Sequence, residues 1–417
     1  MRRKRSSIGL RAALGIFSVT LLVTSTWAAT KETVLHNFGK GTDGSGPAAS
    51  LIFDSAGNLY GTAEYGGPYN YGIVFELMPK AGGGWTEKVM HNFNNNGRDG
   101  GNPAGELIFD STGNLYGTTA GGGVHGSGTV FELTPKAGGG WKEKVLHSFN
   151  NNGKDGTAPH AGVIFDAVGN LYGTCSSGGA YNSGTVFELA PKAGGGWTEK
   201  VLHTFKDNGK DGLSPYGGVV LDASGNLYGT TSGGGAHIEG TVFELTPKAG
   251  GGWTEKVLHS FVEDGKGGYS PDAGLIFDAA GSLYGTTVYG GIYEVGQGTV
   301  FELTPKAEGG WTEKVLSSFG SGSGDGVNPR TGLILDAAGN LYGTTYNGGA
   351  YGGGTTFELT PKAGGGWKKN ILYSFNSNSG DGINPGSSLI FDAAGNLYGT
   401  TYSAGAYNHG TVFEITP

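Results

Sequence analysis

Apolar and polar residues alternate in short runs along nearly the whole chain, and clusters of Gly, Asn and Asp break the runs. This period-two pattern predicts strands joined by tight turns. Between Glu106 and Phe149 it predicts four strands: a, Glu106–Asp110 (ELIFD); b, Asn114–Thr119 (NLYGTT); c, Thr129–Thr134 (TVFELT); and d, Trp141–Phe149 (WKEKVLHSF). An Asp-x-x-Gly turn links a to b, and PKAGGG links c to d. The aspartate ending strand a recurs at Asp54, Asp110, Asp166, Asp222, Asp278, Asp336 and Asp392, at intervals of 56 residues apart from one of 58. The chain is therefore an array of seven copies, each one supersecondary unit.

The order in which the copies are cut predicts the architecture. A d-type strand, Glu32–Phe38 (ETVLHNF), comes before any a, b or c, and the chain ends on a c-type strand, TVFEITP, with no d after it. An open solenoid has no use for complementary half-units, because its ends need polar caps. A closed ring of radial four-stranded blades does. The expected fold is all-β: a seven-bladed β-propeller closed by pairing of the N-terminal strand with the last blade.

Composition narrows the class further. Glycine, at 86 of 417 residues, is about three times the average usage, yet it has no three-residue period and clusters between the strand runs. Residues 1–28 read as a signal peptide: Arg2, Arg3, Lys4, Arg5 and Arg11 flank or precede a short apolar run, and Thr26-Trp27-Ala28 offers a cleavage site. The run is too short for a permanent transmembrane anchor. Residues 29–417 are expected to form a single propeller domain. Without the leader the balance is 22 basic against 35 acidic residues, a net charge of −13, which argues against nucleic acid or anionic lipid as a partner. Cys175 is the only cysteine, so no internal disulfide can form.

The repeated polar residues are read first as scaffold. In Asp-x-x-Gly-Asn the carboxylate accepts backbone N–H groups and the glycine supplies a positive φ, which is ordinary hairpin chemistry; a ring of seven carboxylates holding a cation is the rival reading. The Asn/Asp-rich d–a loops, such as NNNGRDG, read as Asx turns, and the fifth copy has Gly267 in place of the aspartate. Glu76 and its six equivalents on strand c call for a structural hydrogen bond or a lysine partner. His36, His91, His147, His203 and His259 on strand d lie one blade apart, too far to share a metal with one another. No cofactor and no metal site is expected. No set of unlike, symmetry-broken acid and base groups stands out, which counts against an enzyme.

The b–c and d–a loops share one face and differ between copies, and variable loops on a rigid scaffold are where binding resides. The seventh residue of each b–c loop bears a side-chain ring: Tyr69, His125, Tyr181, His237, Tyr293, Tyr351 and Tyr407. These are the expected ligand-binding residues, with His160, Tyr216, Tyr269 and Arg330 of the d–a loops as helpers. The recurring GNLYGTT, GTVFELTPKAGGGW and EKVLHSF resemble the GloVer (Gloeo/Verruco-type) tandem repeat of bacterial exported proteins, over essentially all of residues 31–417. The resemblance implies export. Members often carry a C-terminal sorting anchor; this sequence stops at Pro417, so release or periplasmic residence is expected. It supplies no catalytic residues. The leading expectation is a secreted, monomeric binding module for an extracellular carbohydrate or protein ligand. The alternatives are an extracellular glycan lyase or hydrolase and a structural surface or matrix protein.

Overall fold

In the second copy, strand b (Leu115–Thr119) pairs antiparallel with strand a (Ile108–Phe109) on one side and with strand c (Thr129–Pro135) on the other; c pairs in turn with strand d (Trp141–Ser148). Six copies in the computed structural model, which describes residues 30–293 and 297–417, repeat this order. The predicted leader lies outside the described residues. In the last copy Thr411–Thr416 takes its d strand from the other end of the chain: Lys31–Asn37 pairs with it antiparallel, Lys31 opposite Thr416 and Asn37 opposite Thr411. The Asn37 carboxamide also accepts from Ala406 N–H at 2.7 Å. The expected closure is present, and the sheets form a seven-bladed propeller around one channel.

The glycine inside strand b is dictated by packing. Gly117 lies opposite Phe131, and a Cβ there would come within 2.7 Å of the Phe131 ring and 2.9 Å of Leu107. The ring fills the space that the missing side chain leaves. Its six equivalents do the same, so each blade buries one such phenylalanine completely. The apolar cores lie between blades: Tyr60, Val74 and Met90 of one blade pack with Leu115, Phe131 and Leu133 of the next. Trp141, Trp197 and their equivalents open strand d and lie against the preceding blade, where Trp197 meets the Tyr116 ring edge-on.

Two features depart from the sequence reading. Strand a is only two residues long, because its leading half bends along the channel where neighbouring blades crowd it; a Cβ on Gly105 would lie 2.7 Å from the Ala161 backbone. Each d–a loop also pairs briefly with the b–c loop of its own blade, as Gly100–Gly101 does with Gly121–Gly122. These ribbons fix both loops on one face. Among the described residues the one element besides the strands is a 3-10 turn, Ser377–Ser379. Among the described residues no helix is long and apolar enough to cross a membrane.

Candidate functional site

On the face formed by the a–b and c–d loops, the repeated carboxylates are consumed by the scaffold. Asp110 Oδ1 accepts from the N–H groups of Thr112 (2.8 Å) and Asn114 (2.9 Å), and Oδ2 accepts from the Asn114 carboxamide (2.8 Å) and the Tyr116 hydroxyl (3.2 Å). Gly113 has φ +86°, as the turn requires. Burial resists ionisation of Asp110, but these hydrogen bonds together outweigh it and hold the carboxyl below its usual value. The same hydroxyl lies 3.2 Å from Glu132 of strand c, so one proton bridges two carboxylates, and Lys144 approaches Glu132 from the other side at 3.8 Å. Hairpin chemistry therefore accounts for the motif, and no carboxylate oxygen is left aimed at a shared cation.

The other end of the channel is different. Every d–a loop turns inward through a residue with positive φ (Gly46, Asn102, Ala158, Ser214, Ser270, Asn328 and Asn384) followed by a proline. The left-handed residue is held from both sides: Ala158 N–H donates to Ser127 O of the preceding blade at 2.9 Å, and Ala158 O accepts from Ser176 N–H at 3.2 Å. The proline seats on the preceding blade's loop; a Cβ on Gly128 would lie 2.6 Å from Pro159 Cδ. The residue after the proline is thereby delivered to the channel in every blade. In chain order it is Ala48, Ala104, His160, Tyr216, Asp272, Arg330 and Gly386, and all seven line one cavity of about 100 Å³.

Positions equivalent in the fold thus carry unlike chemistry. Glu106, two residues beyond Ala104, joins them in the cavity and accepts from the Ser50 hydroxyl at 3.3 Å. It faces channel solvent yet has protein around it on every side; that crowding pushes its carboxyl up, opposed by Ser50 and the Gly162 N–H. Burial pushes Asp272 up to about 6, against the pull of the Arg330 charge. Burial also lowers the His160 imidazole, whose ring sits 5.3 Å from that of Tyr216. The Arg330 guanidinium lies over the Tyr346 ring at 5.1 Å. Beyond it, the Tyr402 hydroxyl is 3.4 Å from Glu64, next to the half-exposed Tyr65. Tyr269 and Tyr289 stack at 5.5 Å on the fifth blade's ribbon. The corresponding b–c positions of the second to fourth blades are Ala120, Gly121, Ser176, Ser177, Ser232 and Gly233, so tyrosines flank one side of the throat and small residues the other.

Sequence reasoning found no unlike acid and base groups; the structure brings Glu106, His160, Asp272 and Arg330 into one cavity. The signal was present in the residue after each repeated proline, hidden because the seven loops differ in composition. His160, Tyr216 and Arg330 were expected as helpers and line the throat, whereas Glu106 and Asp272 were missed.

The expected ligand ring is placed elsewhere. Tyr69, His125, Tyr181, His237, Tyr293, Tyr351 and Tyr407 are all exposed at loop tips, and among the described residues no ring contact or hydrogen bond joins one of these side chains to another. They lie toward the outer strands: Tyr407 borders a cleft with His36 and Asn37, and Lys206 at the end of its blade's d strand sits over Tyr181 at 4.8 Å. His36, His91, His147 and His203 of the d strands each meet the aspartate of the following loop, as His36 does Asp43 at 3.0 Å and His91 does Asp99 at 3.3 Å. The loops are built as Asx turns, with Asn96 Oδ1 accepting from Arg98 and Asp99 N–H groups.

Comparison with known proteins places this geometry in context. The chain resembles the extracellular domain of a hybrid two-component system from B. thetaiotaomicron (15% identity, TM-score 0.57), covering 93% of this chain and 42% of that one. It also resembles an ancestral GH74 enzyme (11%, TM-score 0.56; 91% of this chain, 48% of that). A third likeness is to a protein from Bacteroides uniformis described as a 6-phosphogluconolactonase (14%, TM-score 0.51; 82% and 88%). The chain spans less than half the length of the first two, and at such identities the likeness shows the propeller fold alone. No curated protein matches in sequence. The profile of the Gloeobacter/Verrucomicrobia repeat matches residues 15–195, 137–297 and 278–417, and with the repeated strand quartet it shows that the chain belongs to that repeat family.

Proposed function

We propose that this protein is a secreted binding module that takes the polar end of an extracellular carbohydrate at the channel mouth. One observation carries the reading: the seven equivalent positions after the prolines would be alike in a scaffold, yet they present an imidazole, a phenol, a carboxyl and a guanidinium to one cavity. At about 100 Å³ the cavity is smaller than the few hundred Å³ of an ordinary ligand pocket. A substituent such as a carboxylate or hydroxymethyl group enters, and the sugar ring stays outside against the tyrosine arc of Tyr346, Tyr402 and Tyr65. Flat faces with hydroxyl edges suit sugars, which need stacking and hydrogen bonds together. The rim residues Tyr69, His125, Tyr181, His237, Tyr293, Tyr351 and Tyr407 then add contacts for a longer chain, one at a time. Export is supported by the predicted leader and by the extracellular origin of the two-component neighbour.

Glycan-array screening followed by calorimetry on the best ligand tests this. Arg330→Ala and Asp272→Asn are expected to weaken binding at least about tenfold, equivalent to roughly 1.4 kcal/mol. Tyr293→Ala and Tyr407→Ala are expected to weaken it less. Binding unaffected by the throat variants would overturn the site. A second reading, a glycan lyase or hydrolase, is favoured by the raised carboxyls of Glu106 and Asp272 beside a neutral imidazole, the kind of mixed set that proton transfer uses. Turnover of a polysaccharide by the wild type, lost in Asp272→Asn, would select it.

A further inference from the structure

The strand-d histidines have a third neighbour from the next blade. His147 Nε2 lies 3.1 Å from Asp155, and Glu199, on the following d strand (Trp197–Thr204), brings its carboxylate to the same point; one ligand atom from each lies within 4.8 Å of the other two. His203, Asp211 and Glu255 repeat the arrangement one blade on. In both seams one oxygen of the glutamate, Oε1, is buried without a hydrogen-bond partner. Burial and the neighbouring aspartate push these two glutamates up to about 7, the imidazole opposing. A carboxylate so placed lacks a positive partner.

The other seams show what the position calls for. Between the fifth and sixth blades, Ser317 stands where histidine would be and Lys369 where glutamate would be; the Lys369 ammonium lies 2.8 Å from Asp325 and donates to Ser318 O at 2.9 Å. In this seam, where the imidazole is absent, a lysine supplies the positive charge. Between the sixth and seventh, Tyr373 donates its hydroxyl to Asp381 at 2.6 Å. Between the fourth and fifth, Gly267 removes the aspartate, and His259 and Glu313 border an open cavity of about 460 Å³.

We propose that the His147/Asp155/Glu199 and His203/Asp211/Glu255 seams each bind a zinc-class divalent cation that staples consecutive blades at their outer strands. One nitrogen and two carboxylate oxygens are a zinc donor set, with the fourth place left for water. An all-oxygen set would suit calcium or magnesium; the imidazole disfavours both. Around a tetrahedral ion with ligand bonds of about 2.0–2.2 Å the donor atoms stand about 3.4 Å apart, so the His–Asp pair at 3.1 Å opens slightly and the glutamate oxygen, within 4.8 Å, closes in, adjustments that side-chain rotation supplies. Binding displaces the proton shared by Nε2 and the aspartate.

The test is calorimetry and equilibrium dialysis of chelator-treated, full-length protein with Zn²⁺ alone, and with Co²⁺ for its absorption spectrum. Wild type is expected to take up at least two equivalents and to melt at higher temperature when loaded. The double variant Glu199→Gln/Glu255→Gln keeps the side-chain volume, so its metal-free melting should match or exceed that of wild type while two equivalents are lost. Gly267→Asp should gain one: the position has no positive φ, and an added Cβ would meet its nearest neighbours only at 3.5 Å. Fewer than two equivalents in wild type, or unchanged uptake in the double variant, would overturn the proposal. Exposed histidines such as His125 and His237 remain in that variant, so adventitious binding there is separated from the seams.

Discussion

The two ends of the channel are built from the same seven repeats and obey opposite rules. At the a–b turns, Asp110 and its equivalents receive the same backbone and tyrosine hydrogen bonds in blade after blade, and where Ser282 replaces the asparagine the backbone bonds stay in place. At the other mouth the backbone repeats equally well, since left-handed residue and proline recur in every copy, but the side chain delivered next is different from the third blade to the seventh. Repetition of a polar residue here marks a local structural debt being met. Change of a residue at a fixed backbone position marks a site freed from that duty.

The comparison can be attacked first at the level of the whole ring. Deleting Glu32–Phe38 leaves Thr411–Thr416 without its partner and removes the fully buried Phe38. The expected result is loss of soluble monomer by gel filtration, because an exposed edge strand invites pairing between chains. Next in size, Phe131→Ala should cost about 3–5 kcal/mol in denaturant unfolding, since it opens a cavity in an inter-blade core. Tyr216→Ala, on the half-exposed throat phenol, should stay within about 0.5 kcal/mol.

Asp272 gives a pH signature. Its carboxyl titrates near 6 in the fold against about 3.9 in the unfolded chain, so the stability linked to its protonated form is fully present below about pH 4 and is lost as pH rises through 6. Asp272→Asn should remove that loss and stabilise the protein at pH 7 by at most about 3 kcal/mol, less in proportion to the solvent in the channel. The fall in melting temperature between pH 4 and 7 should be smaller in the variant than in wild type, the part that remains coming from the glutamates of the outer seams, which are pushed up to about 7. Tyr116→Phe, which deprives Asp110 and Glu132 of their shared proton, should cost about 1–2 kcal/mol. The smallest effect is expected at the rim: Tyr407→Ala should leave stability within experimental error.

Much of the scaffold was readable in advance because each of its causes is local. The alternation of NLYGTT and TVFELT, the Asp-x-x-Gly-Asn turn and the orphan d strand at Glu32 each state a requirement that neighbouring residues meet, and strand order and closure follow. The throat was not readable in the same way. His160, Tyr216, Asp272 and Arg330 are about 56 residues apart and meet only because closure brings the loops to one axis, and Glu106 stands out only once Ser50 of the preceding blade is seen beside it. The outer seams were hidden for a related reason. His147 and Asp155 are close in sequence, but Glu199 comes from the next copy, and the twist of the blades that joins them has no signature in the alternation.

The central claim is that the fold is indifferent to the throat side chains and that binding depends on them. The direct test is one variant carrying His160→Ala, Tyr216→Ala, Asp272→Ala and Arg330→Ala, which gives these four blades the side chain already present at Ala48 and Ala104. It should melt at or above the wild-type temperature and bind nothing on the glycan array that wild type binds. A variant that unfolds, or one that keeps wild-type binding, would contradict the account.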